Sequence, residues 1–351
     1  MQRVRVSFAV VLAWSVAGCG GGDEKTPSTG TKNDRVFVAD EDSGTVSVID
    51  ETKSTLLTTI VLPVSPGMYM PHNVQAAPDG KSVWVAAAPM TEGGMEKAFV
   101  IDPETNQLVG DIELGSELHV AHVVFNPSSS RAYISANEGN AVLEVDAQTR
   151  TLLRSIDLGA DRGPHGMRWC RDQLWIANMA AKKLARLDPA SSTISEIDVG
   201  GVAVQTACAP SGKYVFVSLY DTREVVRYEV DTQELTRIAL PAESQGPVQL
   251  YPSPDGKTLW VCDQGLLLGR PASNRLYALD VEAAKVIGTV SVGQGAHGVV
   301  LSDDGGLAYV TNLADNSVSV VDTAKMETVT TIAVGTKPNG ISHWHRSGGM
   351  P

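Results

Sequence analysis

Short apolar runs alternate with turn residues along almost the whole chain. From residue 35 onward an apolar–aromatic–aliphatic triplet recurs seven times, at intervals of 41 to 49 residues. Each triplet predicts a buried strand, because aromatic and β-branched residues are enriched in strands. The triplets centre on Phe37, Trp84, Tyr133, Trp175, Phe216, Trp260 and Tyr309.

Two further markers follow each triplet. A second strand ends in an aspartate, at Asp50, Asp102, Asp146, Asp188, Asp231, Asp280 and Asp322. A third strand ends in Gly or Pro, at Pro63, Gly115, Gly159, Gly200, Pro241, Gly293 and Gly335. A fourth short strand then leads through a tight turn, such as residues 78–80 or 254–256, to the next triplet. Four short strands in each of several units of about 45 residues are typical of a β-propeller.

The two ends of the chain belong to the same repeat. We name the strands of a blade a, b, c and d from the axis outward. The chain begins with b, c and d strands at residues 36–40, 45–50 and 55–62, and it ends with an unpaired a strand at residues 337–345. Sharing one blade between the termini closes the ring and removes two sheet edges. The predicted fold is an all-β, seven-bladed β-propeller of four-stranded antiparallel blades over residues 35–346, with a short tail at residues 347–351.

The last repeat resembles the YVTN-type β-propeller repeat. Its b strand reads Tyr309-Val310-Thr311-Asn312, its c strand NSVSVVD at residues 316–322, and its d strand ends in IAVG at residues 332–335. The resemblance extends over residues 35–345 and implies a seven-bladed propeller of a kind common in exported and surface-attached bacterial proteins. It implies no single activity, because this fold carries binding proteins, lactonases, lyases and haem or copper enzymes.

The first 34 residues have a different pattern. Arg3 and Arg5 precede an apolar run at residues 6–16, which has the length of a signal-peptide hydrophobic region. The sequence VAGC at residues 16–19 resembles a bacterial lipobox with Cys19 as the acylated residue. We therefore predict a lipoprotein signal peptide at residues 1–18, a lipidated Cys19 with a flexible tether at residues 19–34, and export to the bacterial cell envelope. The alternative is an ordinary cleaved signal in which Cys19 has no role.

Composition, net charge and absent motifs exclude several classes of partner and of chemistry for this protein. A 43% apolar content is enough for a large core, which excludes global disorder. The net charge of −12 argues against nucleic acid, since phosphate binding needs a basic surface. The sequence contains no Cys-x-x-Cys-His motif, no Gly-x-Ser-x-Gly motif and no complete Gly-x-x-x-x-Gly-Lys-Ser/Thr phosphate-binding loop, which disfavours covalent c-type haem, serine hydrolysis and phosphoryl transfer. We expect a monomer that contacts the membrane through its lipid and binds an unidentified protein or small molecule.

The lengths of the connections predict the functional face. In an antiparallel blade the d–a and b–c connections lie on one face, and the a–b and c–d connections lie on the other. The first face carries irregular loops at residues 63–70, 89–97, 243–247 and 265–273. Variable loops on a rigid scaffold often hold binding sites, although neutral insertions on a tolerant surface are the alternative.

The seven histidines all lie on, or just before, an a strand. One repeat position is shared by His72, His165 and His297, while His122 falls one residue later, after His119. These strand starts meet at the channel mouth on the irregular face. Convergent imidazoles suit a first-row metal such as copper, zinc or iron. General acid–base chemistry is a second possibility, and a merely structural hydrogen-bonding role at the strand start is a third.

Other reactive side chains have plainer interpretations. His343 and His345 form an HxH pair nearer the opposite face and are a weaker metal candidate. Cys170 and Cys208 lie on neighbouring a strands and either form a disulfide or remain buried thiols, and Cys262 lies on a b strand. The repeated aspartates are better explained as turn caps than as catalytic acids.

The sequence supports two functional hypotheses. The leading hypothesis is a cell-envelope lipoprotein that acts as a binding or interaction module, with its ligand site at the channel mouth, rather than an enzyme. The alternative is a hydrolase, lyase or oxidase that depends on a metal or on histidine, using His72, His122, His165 and His297. Stoichiometric copper, zinc or iron in the purified protein would favour the enzyme.

Overall fold

The computed structural model describes residues 34–64 and 67–344, which form 28 strands and two short 3-10 helices. The strands make seven four-stranded sheets, each antiparallel, so the predicted seven-bladed propeller is confirmed. The predictions on the signal peptide, Cys19, His345 and the tail lie outside the described residues. Within the described ranges, no helix is long and apolar enough to cross a membrane.

Six blades follow chain order, each running from a to d. Blade 1 is β4 (Tyr69–Ala76), β5 (Val83–Pro89), β6 (Glu96–Asp102) and β7 (Gln107–Gly115); blade 2 is β8 (Val120–Phe125), β9 (Arg131–Ala136), β10 (Ala141–Asp146) and β11 (Thr151–Asp157). Blade 3 is β12 (Pro164–Cys170), β13 (Gln173–Asn178), β14 (Lys183–Asp188) and β15 (Thr193–Asp198); blade 4 is β16 (Ala203–Cys208), β17 (Tyr214–Leu219), β18 (Glu224–Glu229) and β19 (Leu235–Ala239). Blade 5 is β20 (Pro247–Pro252), β21 (Thr258–Asp263), β22 (Arg275–Asp280) and β23 (Lys285–Ser291); blade 6 is β24 (Ala296–Leu301), β25 (Leu307–Asn312), β26 (Ser317–Asp322) and β27 (Glu327–Ala333). The 3-10 helices are Glu41–Ser43 and Leu267–Gly269.

Blade 7 closes the ring as the sequence predicts. Its strand order is β28-β1-β2-β3, with β28 at Pro338–Trp344 and β1, β2 and β3 at Arg35–Asp40, Thr45–Asp50 and Thr55–Val61. In the β1–β28 register, Val36 lies opposite His343 and Val38 lies opposite Ile341. The C-terminal strand therefore forms the inner strand of a sheet whose other three strands come from the N-terminal end.

The repeated aromatics form the interfaces between blades. All seven triplet residues are at most 3% exposed. Trp84 of blade 1 packs edge-on against Phe125 of blade 2, with ring centroids 5.4 Å apart. Trp175 of blade 3 lies 5.6 Å from Tyr228 of blade 4. Since strand side chains alternate between two faces, each blade buries one face against each neighbour, and the ring depends on all seven interfaces.

Six of the seven repeated aspartates cap the turn after their c strand. Asp146, for example, accepts N–H bonds from Gln148 and Thr149 at 3.1 and 2.9 Å. The prediction that every c strand ends in this aspartate is wrong in blade 4. There β18 ends at Glu229, whose carbonyl accepts the N–H of Gln233, and Asp231 instead pairs with the Arg171 guanidinium of blade 3.

The predicted ends of the d strands are also too long in most blades. β11 stops at Asp157, and the carboxylate of that residue accepts the N–H of Gly159 at 2.8 Å. Gly159 has a φ of +91°, so it belongs to the turn rather than to the strand. Only β7, in the described part of the chain, reaches its predicted glycine, Gly115.

A disulfide joins the inner strands of blades 3 and 4. Cys170 on β12 and Cys208 on β16 are bonded, with their Cα atoms 5.8 Å apart. Cys262 is a buried free thiol, and burial raises its pKa. The sequence left open whether Cys170 and Cys208 form a disulfide or remain buried thiols, and the structure shows the disulfide.

We predict that removing the closing strand destabilises the ring. Deleting residues 337–351 leaves β1 without its inner partner and exposes a sheet edge, so the truncated chain should melt far lower or aggregate. In the intact chain Trp344→Ala should cost about 3–5 kcal/mol, because Trp344 is 1% exposed and its indole N–H donates to the Gly80 carbonyl.

Thermal denaturation followed by circular dichroism measures both effects. Leu153→Ala, on the exposed face of an outer strand, is the matched control and should shift stability by no more than about 0.5 kcal/mol. A truncated chain that melts like the intact one would show that blade 7 is complete without β28.

Candidate functional site

Every a strand carries a β-bulge near its start. In six blades the pairing between the a and b strands loses register after the first paired residue of the a strand, and in blade 1 it does so after the third, Pro71. A bulge inserts an extra residue and redirects side chains, and bulges are frequent beside functional sites. In blade 3 the bulge holds His165 and Gly166, and in blade 6 it holds His297 and Gly298.

The bulge glycines allow neighbouring a strands to approach closely. A Cβ at Gly166 would lie 2.0 Å from the Gln205 side-chain oxygen, and one at Gly340 would lie 2.6 Å from the Cα of Asn73. Neither position has room for a side chain. This close approach at the axis places side chains from different blades within hydrogen-bonding distance.

Three of the four predicted histidines converge. One ring nitrogen from each of His72, His122 and His165 lies within 4.8 Å of the others. The Nε2 atoms of His72 and His165 are 3.3 Å apart, and the ring centroids of His122 and His165 are 4.9 Å apart. A tetrahedral zinc site with bonds of about 2.0–2.1 Å needs ligand atoms about 3.3–3.4 Å apart. The His72–His165 pair already has that separation.

The fourth histidine is not part of this group. His297 is buried on β24, and its Nδ1 accepts a hydrogen bond from the Gln264 amide at 2.7 Å. His119 lies at the rim, with its ring centroid 6.3 Å from that of His72 and its Nδ1 3.8 Å from a Glu138 oxygen. The structure therefore resolves the predicted four-histidine cluster into three convergent rings and a separate neighbour.

Hydrogen bonds orient two of the three rings. The Nδ1–H of His165 donates to the Val204 carbonyl at 2.9 Å, which turns Nε2 toward His72. The amide nitrogen of Asn339 lies 3.3 Å from His72 Nδ1 and also donates to Glu41 at 2.7 Å. A backbone or side-chain partner on the second ring nitrogen is how proteins fix a metal-ligating histidine.

The third ring carries an unsatisfied atom. His122 is 1% exposed, and its Nε2 has no hydrogen-bond partner among the described residues. Its Nδ1 lies 3.5 Å from the Gln205 amide nitrogen, while the Gln205 oxygen accepts the N–H of Thr206. A buried polar atom without a partner costs about 1–3 kcal/mol, which a bound cation on that nitrogen would recover.

Burial keeps the imidazoles neutral. It lowers the pKa of His72 to about 4 and that of His165 to about 3, and the neighbouring imidazoles lower both further. Burial also lowers the pKa of His122 well below its usual value and that of His297 to about 3. At neutral pH the rings therefore keep free lone pairs, the form that binds a metal.

Glu96 holds the loop that carries two of the histidines, and sequence reasoning missed this residue. Glu96 begins β6 and is 4% exposed, and its carboxylate accepts the N–H groups of Leu118, His119 and Val120 at 2.6–2.8 Å. These bonds hold His119 at a φ of +48° just before β8, which carries His122. Strained backbone of this kind persists only where neighbours enforce it.

The same device recurs in blade 5. Asp263 is fully buried, and its carboxylate accepts the hydroxyl of Ser244 and the N–H groups of Gln245 and Gly246. The signal in the sequence is an acid beside a b–c connection, about 20 residues before the d–a loop for Glu96 and about 20 residues after it for Asp263. The spacing alone does not identify it, because many exposed acids occupy similar positions.

The second predicted metal candidate has different partners from those expected. His343 is buried, with Nε2 2.6 Å from a Glu51 oxygen, and an Asp34 oxygen completes a group within 4.8 Å. His345 lies outside the described residues. His343 therefore belongs to a hydrogen-bonded cluster of blade 7 near the opposite face, whereas the predicted pairing with His345 stays a prediction.

Two family models match the chain. The SMP-30/gluconolactonase/LRE-like region matches residues 163–338, half of the chain, and the cytochrome D1 heme domain matches residues 28–168. No curated protein matches it significantly. The two models meet near blade 3, so both describe parts of one ring.

Solved structures agree on the fold. A Kuenenia stuttgartiensis hydrazine synthase chain shares 19% identity and a TM-score of 0.69, covering 88% of this chain and 99% of its own. A virginiamycin B lyase from Staphylococcus aureus shares 12% identity and a TM-score of 0.63, covering 79% of this chain and 92% of its own. A dihydro-heme d1 dehydrogenase shares 14% identity and a TM-score of 0.61, covering 88% of this chain and 66% of its own. At these identities the likeness shows the propeller fold alone.

The mouth does not fit a haem held between two histidines. Two axial nitrogens on opposite sides of one metal ion lie about 4 Å apart, given bonds of about 2.0–2.1 Å. The Nε2 atoms of His72 and His165 are 3.3 Å apart, and the His122 ring lies beside them. The separation of His72 and His165 is therefore too short for a pair of axial ligands.

Proposed function

The chain belongs to the SMP-30/gluconolactonase/LRE-like family of β-propellers, and we propose that it is a binding module whose channel mouth holds Cu²⁺ or Zn²⁺ through His72, His122 and His165. The observation that carries the proposal is the convergence of three ring nitrogens within 4.8 Å of one another, each from the inner strand of a different blade. Imidazole is a preferred ligand of both ions.

Three features support binding without rearrangement of the backbone. The rings are neutral at pH 7, the separation of the His72 and His165 Nε2 atoms matches a tetrahedral edge, and His122 Nε2 has no other partner among the described residues. The net charge of −12 raises the local concentration of cations. Three protein ligands leave a fourth position open toward the mouth, where a further ligand would be presented.

A metal-dependent hydrolase or lyase is the second candidate function. Catalytic zinc sites have three protein ligands and one open position, which is the arrangement here. His119 is exposed at the rim beside His72, where its imidazole is placed to hold or move a proton. A metal bound by the three histidines would supply Lewis-acid chemistry. Turnover that requires both the metal and His119 would favour this function over simple binding.

The predicted location of this binding module is the cell envelope. We propose that the propeller is exported and anchored to the cell envelope through lipid on Cys19, as residues 1–34 indicate. The bridge between Cys170 and Cys208 supports an oxidising compartment, because structural disulfides are rare in the cytosol.

Cys19→Ser tests the anchor. Removing the acylated thiol should leave the chain unprocessed or soluble, because one apolar lipid no longer holds it in the membrane. Membrane fractionation and metabolic labelling with palmitate measure this result. A Cys19→Ser chain that still fractionates with membranes and carries lipid would contradict the anchor.

We predict one Zn²⁺ or Cu²⁺ bound per chain lacking residues 1–18. Isothermal titration of the chelator-treated protein should show this stoichiometry, and His165→Ala should weaken binding at least about 100-fold because it removes a direct ligand. His297→Ala is the matched control, since His297 is buried nearby but lies outside the convergent group, and it should change affinity less than about threefold.

The pH dependence provides a second readout. A free imidazole loses metal affinity below pH ~6.5, but the lowered pKa values of His72 and His165 should preserve binding down to about pH 5.

Two results would overturn the proposed metal site. In the first, the intact protein binds no metal; in the second, His165→Ala and His297→Ala lose the same amount of metal affinity.

A further inference from the structure

A second cavity opens on the face opposite the histidines. Its volume is about 480 Å³, within the range of small-molecule sites. It lies where the inner strands β12, β16 and β20 run into their a–b turns, in blades 3, 4 and 5. No residue of the histidine mouth lines it.

One cation in the cavity wall has no acidic partner. Arg168 lies on β12, three residues after His165. Within residues 34–64 and 67–344 no carboxylate lies within ion-pair distance of its guanidinium, and its Nη1 donates to the adjacent Met167 carbonyl at 2.8 Å. Removal from bulk water lowers the pKa of Arg168. A partly desolvated cation without a counter-charge is costly, and a bound anion would offset that cost.

The second arginine in the wall provides a contrast. Arg171 pairs through both terminal nitrogens with the Asp231 carboxylate on the exposed surface. Its charge is already compensated, so it offers less to a ligand. The cavity therefore has one unpaired guanidinium, whose planar donors suit a carboxylate or sulfonate.

Much of the remaining wall is apolar. Trp169 stacks on Tyr133 with ring centroids 5.7 Å apart, and Tyr251 and three prolines, Pro127, Pro210 and Pro252, contribute to the lining. The Cys170–Cys208 bridge is also part of the wall and ties two of its sides together, so the cavity is preformed. Asp172 in the wall disfavours a second negative charge.

From this arrangement we propose that the cavity binds a small organic monoanion with a flat apolar body, an aromatic carboxylate or sulfonate, whose charged group pairs with Arg168. The site is spatially separate from the histidine mouth, because the two lie on opposite faces and share no lining residue. Pairing of the anion with the guanidinium supplies orientation, and the apolar walls supply most of the affinity.

Two fluorescent probes of nearly equal shape test this proposal. The anionic probe is 8-anilinonaphthalene-1-sulfonate, and the neutral probe is N-phenyl-1-naphthylamine, which lacks the sulfonate. We expect one sulfonate probe per chain, with affinity at least about 10-fold weaker in Arg168→Met and partly retained in Arg168→Lys. Arg171→Met should change it less than about threefold, and the neutral probe should bind all four proteins alike.

Each outcome decides the proposal. Equal affinity of the anionic probe for the intact protein and Arg168→Met, or no saturable binding to either, would overturn it. If Arg168→Met also loses the neutral probe, the cavity has changed shape, and Arg168→Lys then decides. A lysine variant that binds the neutral probe normally and the sulfonate more weakly than the intact protein supports the pairing with Arg168. A lysine variant that binds both probes as tightly as the intact protein contradicts a specific role of the guanidinium. Melting curves of the variants confirm that each remains folded.

Discussion

The close approach of seven inner strands around one axis is the constraint on which the site depends. Gly166 and Gly340 have no space for a Cβ, since the neighbouring strand occupies it. This packing, together with a bulge near the start of every inner strand, brings His72, His122 and His165 together across as many as 93 residues of sequence. The aromatic interfaces between blades and the shared seventh blade hold the strands at that spacing.

Much of the fold could be predicted because every repeat has the same pattern of buried and turn-forming residues. A buried aromatic per b strand and an aspartate per c–d turn recur at a spacing that only a repeated sheet explains. The convergence of His72 and His165 follows from their shared repeat position, whereas His122 joins them from one residue later in its strand. The repeat pattern did not indicate that His297, which occupies the same kind of bulge as His165, contacts Gln264 instead of joining the other three rings. Nor could it give the Glu96 contacts, which depend on how one blade sits against the next.

The two ends of the axis have opposite chemistry. At one end, buried neutral imidazoles offer lone pairs to a cation, and at the other the Arg168 guanidinium offers donors to an anion. They influence each other, since the positive charge of Arg168 is among the causes that lower the pKa of His122. The proposed cation site and the proposed anion site together would allow the propeller to bind more than one ligand.

The most direct test of this account is the protonation of the histidines in the metal-free protein. Nitrogen-15 NMR of histidine-labelled protein in EDTA, from pH 8 to pH 4, reports each ring. We expect His72 and His165 to remain neutral at pH 5 and to gain protons only as the pH approaches about 4 and about 3. Because the unfolded chain takes up these protons near pH ~6.5, the free energy of unfolding should fall as the pH drops from there toward 4. Titration of both rings near pH ~6.5, with no such loss of stability, would contradict a dry, convergent mouth.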